Sequence, residues 1–473
     1  MPHTHDLTAM RLAAAVRTRE LSPVEIVDHY LDRIERVNPQ VGAFVTVTAE
    51  LAREQARAAE KLVTGTADPA ELPPLLGVPV PIKDLNMVEG VPMTFGSRTF
   101  HDLTGFADDN VVVLLREAGS VLTGKTSTPE FGLPCYTEGA APPARTPWDL
   151  TRSAGGSSGG AAAAVAAGLA PVAQGSDGGG SIRIPASACG LFGIKPTRGR
   201  VSQGPVIPDL FGLSTNGPIA RTVRDAALLL DVMSGAMPGD LYLAPPVERT
   251  FLGCAERPPG RLRIARSADP IVPGAEVHPD CLAAYEDASR LLEELGHEVV
   301  DLPLVMGPEM VPHFELLWGV MATLTPVDPA REDLLQPLTR WLRERGNATS
   351  APQLFQAHAA LQGALRAAFP VMNEYDAILH PTLAQPPAPV GHFHDQEPEE
   401  NFRRQKMFTP FTSAYNVSGQ PAVSVPLYWS EEGLPIGVML AGRLGGEGTL
   451  ISLSAQLEQA RPWIDRKPDI WDS

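Results

Sequence analysis

The chain has 473 residues, 44% of them apolar, enough for a large buried core. Its formal net charge of −17 argues against a nucleic-acid footprint and against binding an anionic membrane, and the dispersed charges read as a solvated acidic surface. Cys135, Cys189, Cys254 and Cys281 are scattered and form no C-x-x-C pair, which suits reduced thiols in a cytoplasm. His3, His5 and Asp6 break any early apolar run, so no signal peptide is expected. No window of about 18 apolar residues runs without a charge or glycine, so no membrane span is expected either.

The first element is a helix. Ser22-Pro23-Val24-Glu25 is a capping box with proline at the first helical position. Ile26, Val27, Tyr30, Leu31 and Ile34 follow at helical spacing, and Asn38-Pro39 is expected to end the element. A second helix is predicted over residues 50–63, and a loop over 64–74. Leu75 to Ile82 reads as a proline-punctuated apolar strand that delivers Lys83. A lysine at a strand end is usually a surface charge. This one follows Val80, Pro81 and Ile82, so it emerges from buried sequence, where desolvation lowers its pKa from about 10.4. Asp84 points to the opposite face of a period-two strand and reads as structural. A helix over 111–117 and a strand over 120–123 lead into Gly124-Lys125-Thr126, which lacks the upstream glycine of a phosphate loop. Residues 134–147 form a proline-rich loop, with Cys135, Tyr136 and Trp148 near it. It is either part of a substrate mouth or plain surface.

Gly155–Ser181 reads GGSSGGAAAAVAAGLAPVAQGSDGGGS. Two glycine clusters carrying serines flank an alanine-rich segment. Ala161 to Ala167 is predicted as a helix that stops at Gly168, and Leu169 to Gln174 as a buried strand. A helix running one way and a strand running back would bring the two serine clusters together. Glycines let backbone amides approach a ligand closely, and several amides aimed at one point are what an oxyanion needs. The other readings are a flexible linker and a phosphate-cradling loop. The apolar helix–strand unit between the clusters disfavours the first, and the lack of G-x-x-x-x-G-K-[ST] disfavours the second. Asp177 and Arg183 flank the glycine turn and are read as an internal pair that pins it.

Downstream, Thr222-Val223-Arg224-Asp225 reads as a second capping box, opening a helix through Leu228, Leu229 and Val232. Strands are predicted over 262–265 and 298–302, with a helix over 280–295 between them. Residues 304–410 differ: Trp318, Trp341, Phe355, Phe369, Tyr375, Phe402 and Phe408 lie in mostly helical or loop sequence with few obvious anchoring charges. This region either covers the active site and sets specificity or is ordinary helical core. His392-Phe393-His394 has a spacing that could suit a metal, but exposed histidines in a proline-rich loop are the simpler reading, and neither metal nor cofactor is called for. The chain ends with strands over 422–427 and 436–440 and a helix over 449–459. Strand–helix alternation predicts an α/β fold: one large domain with a mixed sheet flanked by helices on both faces.

The motifs GGSSGG and GSDGGGSIRIPA resemble those of the amidase signature family. So do Gly77-Val78-Pro79-Val80-Pro81-Ile82-Lys83-Asp84, Gly193-Ile194-Lys195-Pro196-Thr197, Gly217-Pro218-Ile219-Ala220-Arg221 and Asn416-Val417-Ser418-Gly419-Gln420-Pro421. The likeness covers most of the chain, with a signature core over about 75–235. It implies a Ser-Ser-Lys hydrolase of C–N bonds. Lys83 would be the base, Ser157 the relay after a cis Gly156–Ser157 peptide, and Ser181 the nucleophile that forms an acyl-enzyme. The amides of Gly178, Gly179, Gly180 and Ser181 would hold the oxyanion, and Ser158 would support the relay. No histidine accompanies the turn, so a Ser-His-Asp arrangement has no obvious base.

Three departures from the family pattern stand out. Ser176 replaces the usual threonine. Gly178 adds a third glycine where threonine or isoleucine is common. Residues 213–216 and 406–416 lack the acidic groups that a tRNA-dependent amidotransferase A subunit uses for glutamine. The resemblance therefore implies a freestanding hydrolase of small neutral amides with an apolar or aryl portion. Esters and carbamates (urethanes) are also open to the same site. The alternatives are a glutaminase subunit and a catalytically silent binding protein of the same fold. No nucleic-acid or membrane partner is expected, and the oligomeric state is open between a monomer and a homodimer.

Overall fold

The structure is a computed structural model that describes residues 3–207 and 210–473. Its strands are β1 (Phe44–Val47), β2 (Ile82–Lys83), β3 (Gly124–Thr126), β4 (Val172–Asp177), β5 (Phe192–Lys195), β6 (Thr215–Ala220), β7 (Arg263–Arg266), β8 (Glu298–Asp301), β9 (Ala377–Pro381), β10 (Ala422–Trp429) and β11 (Pro435–Gly442). Eight of them form one mixed sheet in the order β4-β6-β5-β10-β11-β9-β7-β8. Its β4 to β9 half is antiparallel, and β9-β7-β8 is parallel. A small sheet, β1-β3-β2, stands beside it.

Strand residues alternate between two cores, as a period of two requires. Val423, Val438 and Leu440 pack with the helices Val223–Met233, Pro279–Glu294 and Glu447–Ala460. Ala422, Met439 and Ala441 face the other way, toward Met310–Met321 and Ala351–Met372. On that second face Ala173 and Ile219 meet the helix Gly159–Ala166. Every residue of this helix is buried, so small side chains are needed all round it. A Cβ at Gly160 would collide with the backbone of Ser127 and Ala43. Sheet and flanking helices form the expected α/β architecture.

Several predicted boundaries move. The strand expected over 75–82 shrinks to Ile82–Lys83 with a single bridge at Pro79. Pro79 and Pro81 have no N–H to offer a ladder, and Leu76 and Val78 turn back on Pro73 and Leu75. The strand after the alanine helix begins at Val172, past the donor-less Pro171, and runs on to Asp177, which carries Ser176 into the site. Gly124-Lys125-Thr126 is itself a strand, with Lys125 in a buried ion pair with Asp84 at 3.0 Å. The first long helix passes through Pro39 to Val41, capped by Gly42 in the left-handed conformation. Thr222 caps its helix through the Asp225 amide, but Asp225 makes no capping box. Its carboxylate instead receives the Ala9 and Met10 amides of the N-terminal helix. The aromatic stretch 304–410 also contributes β9 to the central sheet.

Candidate active site

β2, β4 and the start of the alanine helix converge on one buried lysine. The Lys83 amide donates to Gln174 Oε1 at 2.9 Å, which fixes β2 against β4. The Lys83 side chain is wholly buried. Its Nζ lies 2.7 Å from Ser157 Oγ, 2.9 Å from Ser158 Oγ and 3.0 Å from Ser176 Oγ. A fourth partner is the Ser176 carbonyl at 3.3 Å, and no carboxylate among the described residues pairs with the amine. Burial brings Lys83 down to about 7, against the field of Asp177, which favours the charged form.

The two serine clusters meet as the motif order requires. Ser158 N–H donates to Ser181 O at 3.1 Å, and the Gly156–Ser157 peptide is cis. Ser181 faces a cavity, and its hydroxyl makes no hydrogen bond with Ser157. Among the described residues, no histidine bonds to any of these serines.

Asp177 and Arg183 are fully buried and form a bidentate pair, Nε to Oδ2 and Nη2 to Oδ1, both at 2.9 Å. Burial alone would raise the Asp177 pKa. Arg183 outweighs it and holds the carboxyl well below its usual range. The same carboxylate receives the amides of Gly180 at 2.8 Å and Ile182 at 3.1 Å. The Gly180 amide is therefore spent on the turn. Of the four amides expected to face an oxyanion, those of Gly178, Gly179 and Ser181 remain. The sequence reading missed Asn416 as part of this lock, although it opens one of the motifs. Its Nδ2 donates to Asp177 Oδ1 at 2.8 Å, and its Oδ1 accepts from Arg183 at 2.7 Å. No local pattern joins residues 239 positions apart in the chain.

Ser181 and Gly179 line a cavity of about 90 Å³ walled by Leu133, Ile184, Met310, Phe314, Trp318 and Phe402. Phe314 and Trp318 stack at 5.4 Å, and a Cβ on Gly178 would lie 3.6 Å from Trp318. One charged feature escaped the sequence reading: Lys406 and Glu315 pair at 2.6 Å on the same wall. Among the described residues no group of three or more His, Cys, Asp or Glu is placed to hold a metal. Phe393, between His392 and His394, stacks on Tyr136 at 5.3 Å.

The amidase family model matches residues 25–451. The chain belongs to the amidase signature family. It is 37% identical to a putative amidase of Synechocystis sp. over 458 residues, which cover 96% of this chain and 88% of that protein. Its fold superposes on the structure of 6-aminohexanoate cyclic dimer hydrolase complexed with substrate with a TM-score of 0.91, at 32% identity and covering 99% of each chain. A bacterial aryl acylamidase superposes with a TM-score of 0.85, at 28% identity and covering 98% of each. The enzyme is thus an amidase, a hydrolase of carbon–nitrogen bonds. Among its described residues no helix is long and apolar enough to cross a membrane.

Proposed function

We propose that the enzyme cleaves small neutral amides through Ser181, activated by Ser157 and neutral Lys83. The observation that carries this reading is the wholly buried Lys83 Nζ, 2.7 Å from Ser157 Oγ and without a carboxylate partner. Lys83 takes the Ser157 proton while Ser157 takes the Ser181 proton. Ser181 Oγ must close on Ser157 as the substrate binds, a tightening common in unliganded sites. The attack forms the Ser181–acyl bond, and the carbonyl oxygen becomes an anion facing the Gly178, Gly179 and Ser181 amides. Each such donor is worth about 3 kcal/mol. Collapse breaks the C–N bond, and the proton returns through Ser157 to the departing amine. Water then releases the acyl group by the same relay.

Apolar walls favour an apolar or aryl portion, at about 25 cal/mol per Å² buried. A neighbour of the same fold is an aryl acylamidase, which supports that class. Esters and carbamates present the same carbonyl, and an activated ester asks less of the proton relay. A second reading rests on the Glu315–Lys406 pair, which offers one charge to each end of a zwitterion such as glutamine. Glutamine would have to part that pair first, which disfavours it.

A phosphonate or sulfonyl probe followed by peptide mass spectrometry tests the nucleophile. The adduct is expected on Ser181 and is expected to vanish in Ser181→Ala with the fold intact. An adduct on Ser157 or Ser158 would overturn the assignment.

A further inference from the structure

A second cavity reaches the lysine–serine cluster at Ser176. It measures about 430 Å³, against about 90 Å³ for the one at Ser181. Its walls are Phe95, Phe100, Phe131, Leu133, Met321 and Leu324. Three of these are packed aromatics: Phe95 and Phe100 are 5.3 Å apart, Phe100 and Phe131 6.1 Å. Leu133 belongs to both cavities and, beside Trp318, forms part of the partition between them.

Three observations tie this cavity to the reaction. Ser176 lines it, and Ser176 Oγ is 3.0 Å from Lys83 Nζ. Gly132, between Phe131 and Leu133, comes so close to Ser157 that an added Cβ would sit 3.3 Å from its Oγ. The cavity wall thus abuts the relay, whereas the smaller cavity abuts Ser181 and the oxyanion turn. The wall is also strained. Phe95 (φ 51°) and Phe131 (φ 56°) are two of the three non-glycine residues with left-handed backbone among those described, and the Phe131 amide donates to Phe95 O at 2.8 Å. Bulky side chains rarely adopt that region, and such strain gathers at ligand sites.

We propose that this second cavity binds the amine portion of the substrate, and that the substrate is an amide of a small acyl group with a bulky, apolar, aromatic amine. The proposal rests on the Ser181–Ser157–Lys83 reading and adds the direction in which the substrate lies. The departing nitrogen must face the group that returns its proton, and that group is Ser157. The amine therefore points to the relay side and the acyl group to the Ser181 side. Size agrees with direction: about 150 Å³ suffices for benzene. The smaller cavity suits an acetyl-sized group and the larger one a fused or substituted aryl ring. The chemistry is unchanged: the Ser181–acyl bond forms, the C–N bond breaks, and the arylamine leaves with the proton from Ser157.

The test uses two series of amides with the full-length enzyme. One series keeps the acetyl group and enlarges the amine from ammonia to aniline to naphthylamine. The other keeps aniline and lengthens the acyl chain. Leu324→Trp narrows the second cavity. Val311 also lines the first cavity, and Val311→Phe narrows that one. Leu324→Trp is expected to cut kcat/KM for the naphthylamide relative to acetamide by on the order of tenfold or more, with its acyl-length profile unchanged. Val311→Phe is expected to do the reverse. Phe100→Ala, which widens the second cavity, is expected to favour the larger amines and serves if Leu324→Trp does not fold. A Leu324→Trp penalty that grows with acyl length, or no change in either series, would overturn the proposal. Failure of the nucleophile reading would show separately, as undiminished turnover by Ser181→Ala.

Discussion

At the scale of single residues the proposed mechanism depends on keeping one amine uncharged and one carboxylate charged within the same buried region. Lys83 has three hydroxyls and the Ser176 carbonyl as neighbours and no paired carboxylate among the described residues, so the loss of water around an ammonium is poorly repaid. Asp177 has Arg183, Asn416 and two backbone amides, so its charge is repaid several times over. Lys83→Ala is expected to remove most amide turnover while sparing activated esters, measured as the ratio of anilide to p-nitrophenyl ester hydrolysis. Lys195 is also brought down to about 7, first by burial and then by Arg183, but its Nζ donates to Pro196 O and reaches none of the serines. A titration near 7 that survives Lys83→Ala would not be that of the relay base, because Lys195, Glu138 and Glu458 are all brought to about 7 by burial. Asp177→Asn leaves Arg183 buried without a counter-charge and should cost about 3–5 kcal/mol, read by denaturant unfolding. These roles are only partly legible in sequence. The Asp177–Arg183 pair follows from its place around the glycine turn. The Asn416 lock and the Glu315–Lys406 pair do not, because they join segments distant in the chain.

At the scale of elements the site is a junction of two short strands and one helix terminus. The turn from Asp177 to Ser181 is tight because Gly180 runs at φ 134° against the Thr412 side chain. Gly180→Ala is therefore expected to lose activity and stability together, measured as kcat and melting temperature. Gly178→Thr would place a Cβ 2.9 Å from Ser214 Oγ and should alter substrate selection more than stability, read from a panel of anilides. The helix–strand unit between the serine clusters was legible from composition: alanine, then glycine, then an apolar run. Its strand boundary was not, since the apolar residues 169–171 end in a proline while the ladder runs on through polar Gln174, Ser176 and Asp177. Burial on both faces and β6 as a partner hold that polar strand, and neither is visible locally. The strand predicted before Lys83 shortens for a related reason: Pro79 and Pro81 have no N–H to offer, so its pairing with residues 119–121 is reduced to a few bonds around the Pro79 bridge.

At the scale of the whole molecule the eight-stranded sheet is a rigid platform, and chemistry gathers at its β4 edge beside the small sheet that carries Lys83. The stretch 304–410 supplies both the aromatic wall of the Ser181 cavity and β9, so it belongs to the core as well as to the pocket. Alternation predicts the class of fold but not that β9 pairs with β11 on one side and, on the other, with β7 more than a hundred residues upstream. A surface of net charge −17 should repel an anionic substrate and leave a neutral one indifferent to salt. Raising ionic strength is expected to leave kcat/KM for an anilide nearly unchanged. An anilide is also expected to exceed glutamine by orders of magnitude with the single chain. Rapid ammonia release from glutamine, with no aryl activity, would favour the second reading.

The rate of Ser181 phosphonylation as a function of pH tests the central claim most directly. Only the neutral lysine accepts the proton, and its fraction grows as pH rises through its pKa of about 7. The labelling rate is predicted to climb from pH 6, bend near 7 and level off above 8, and to lose that titration in Lys83→Ala. A rate that stays flat or falls between pH 6 and 8 in the folded enzyme would contradict a neutral Lys83 as the base.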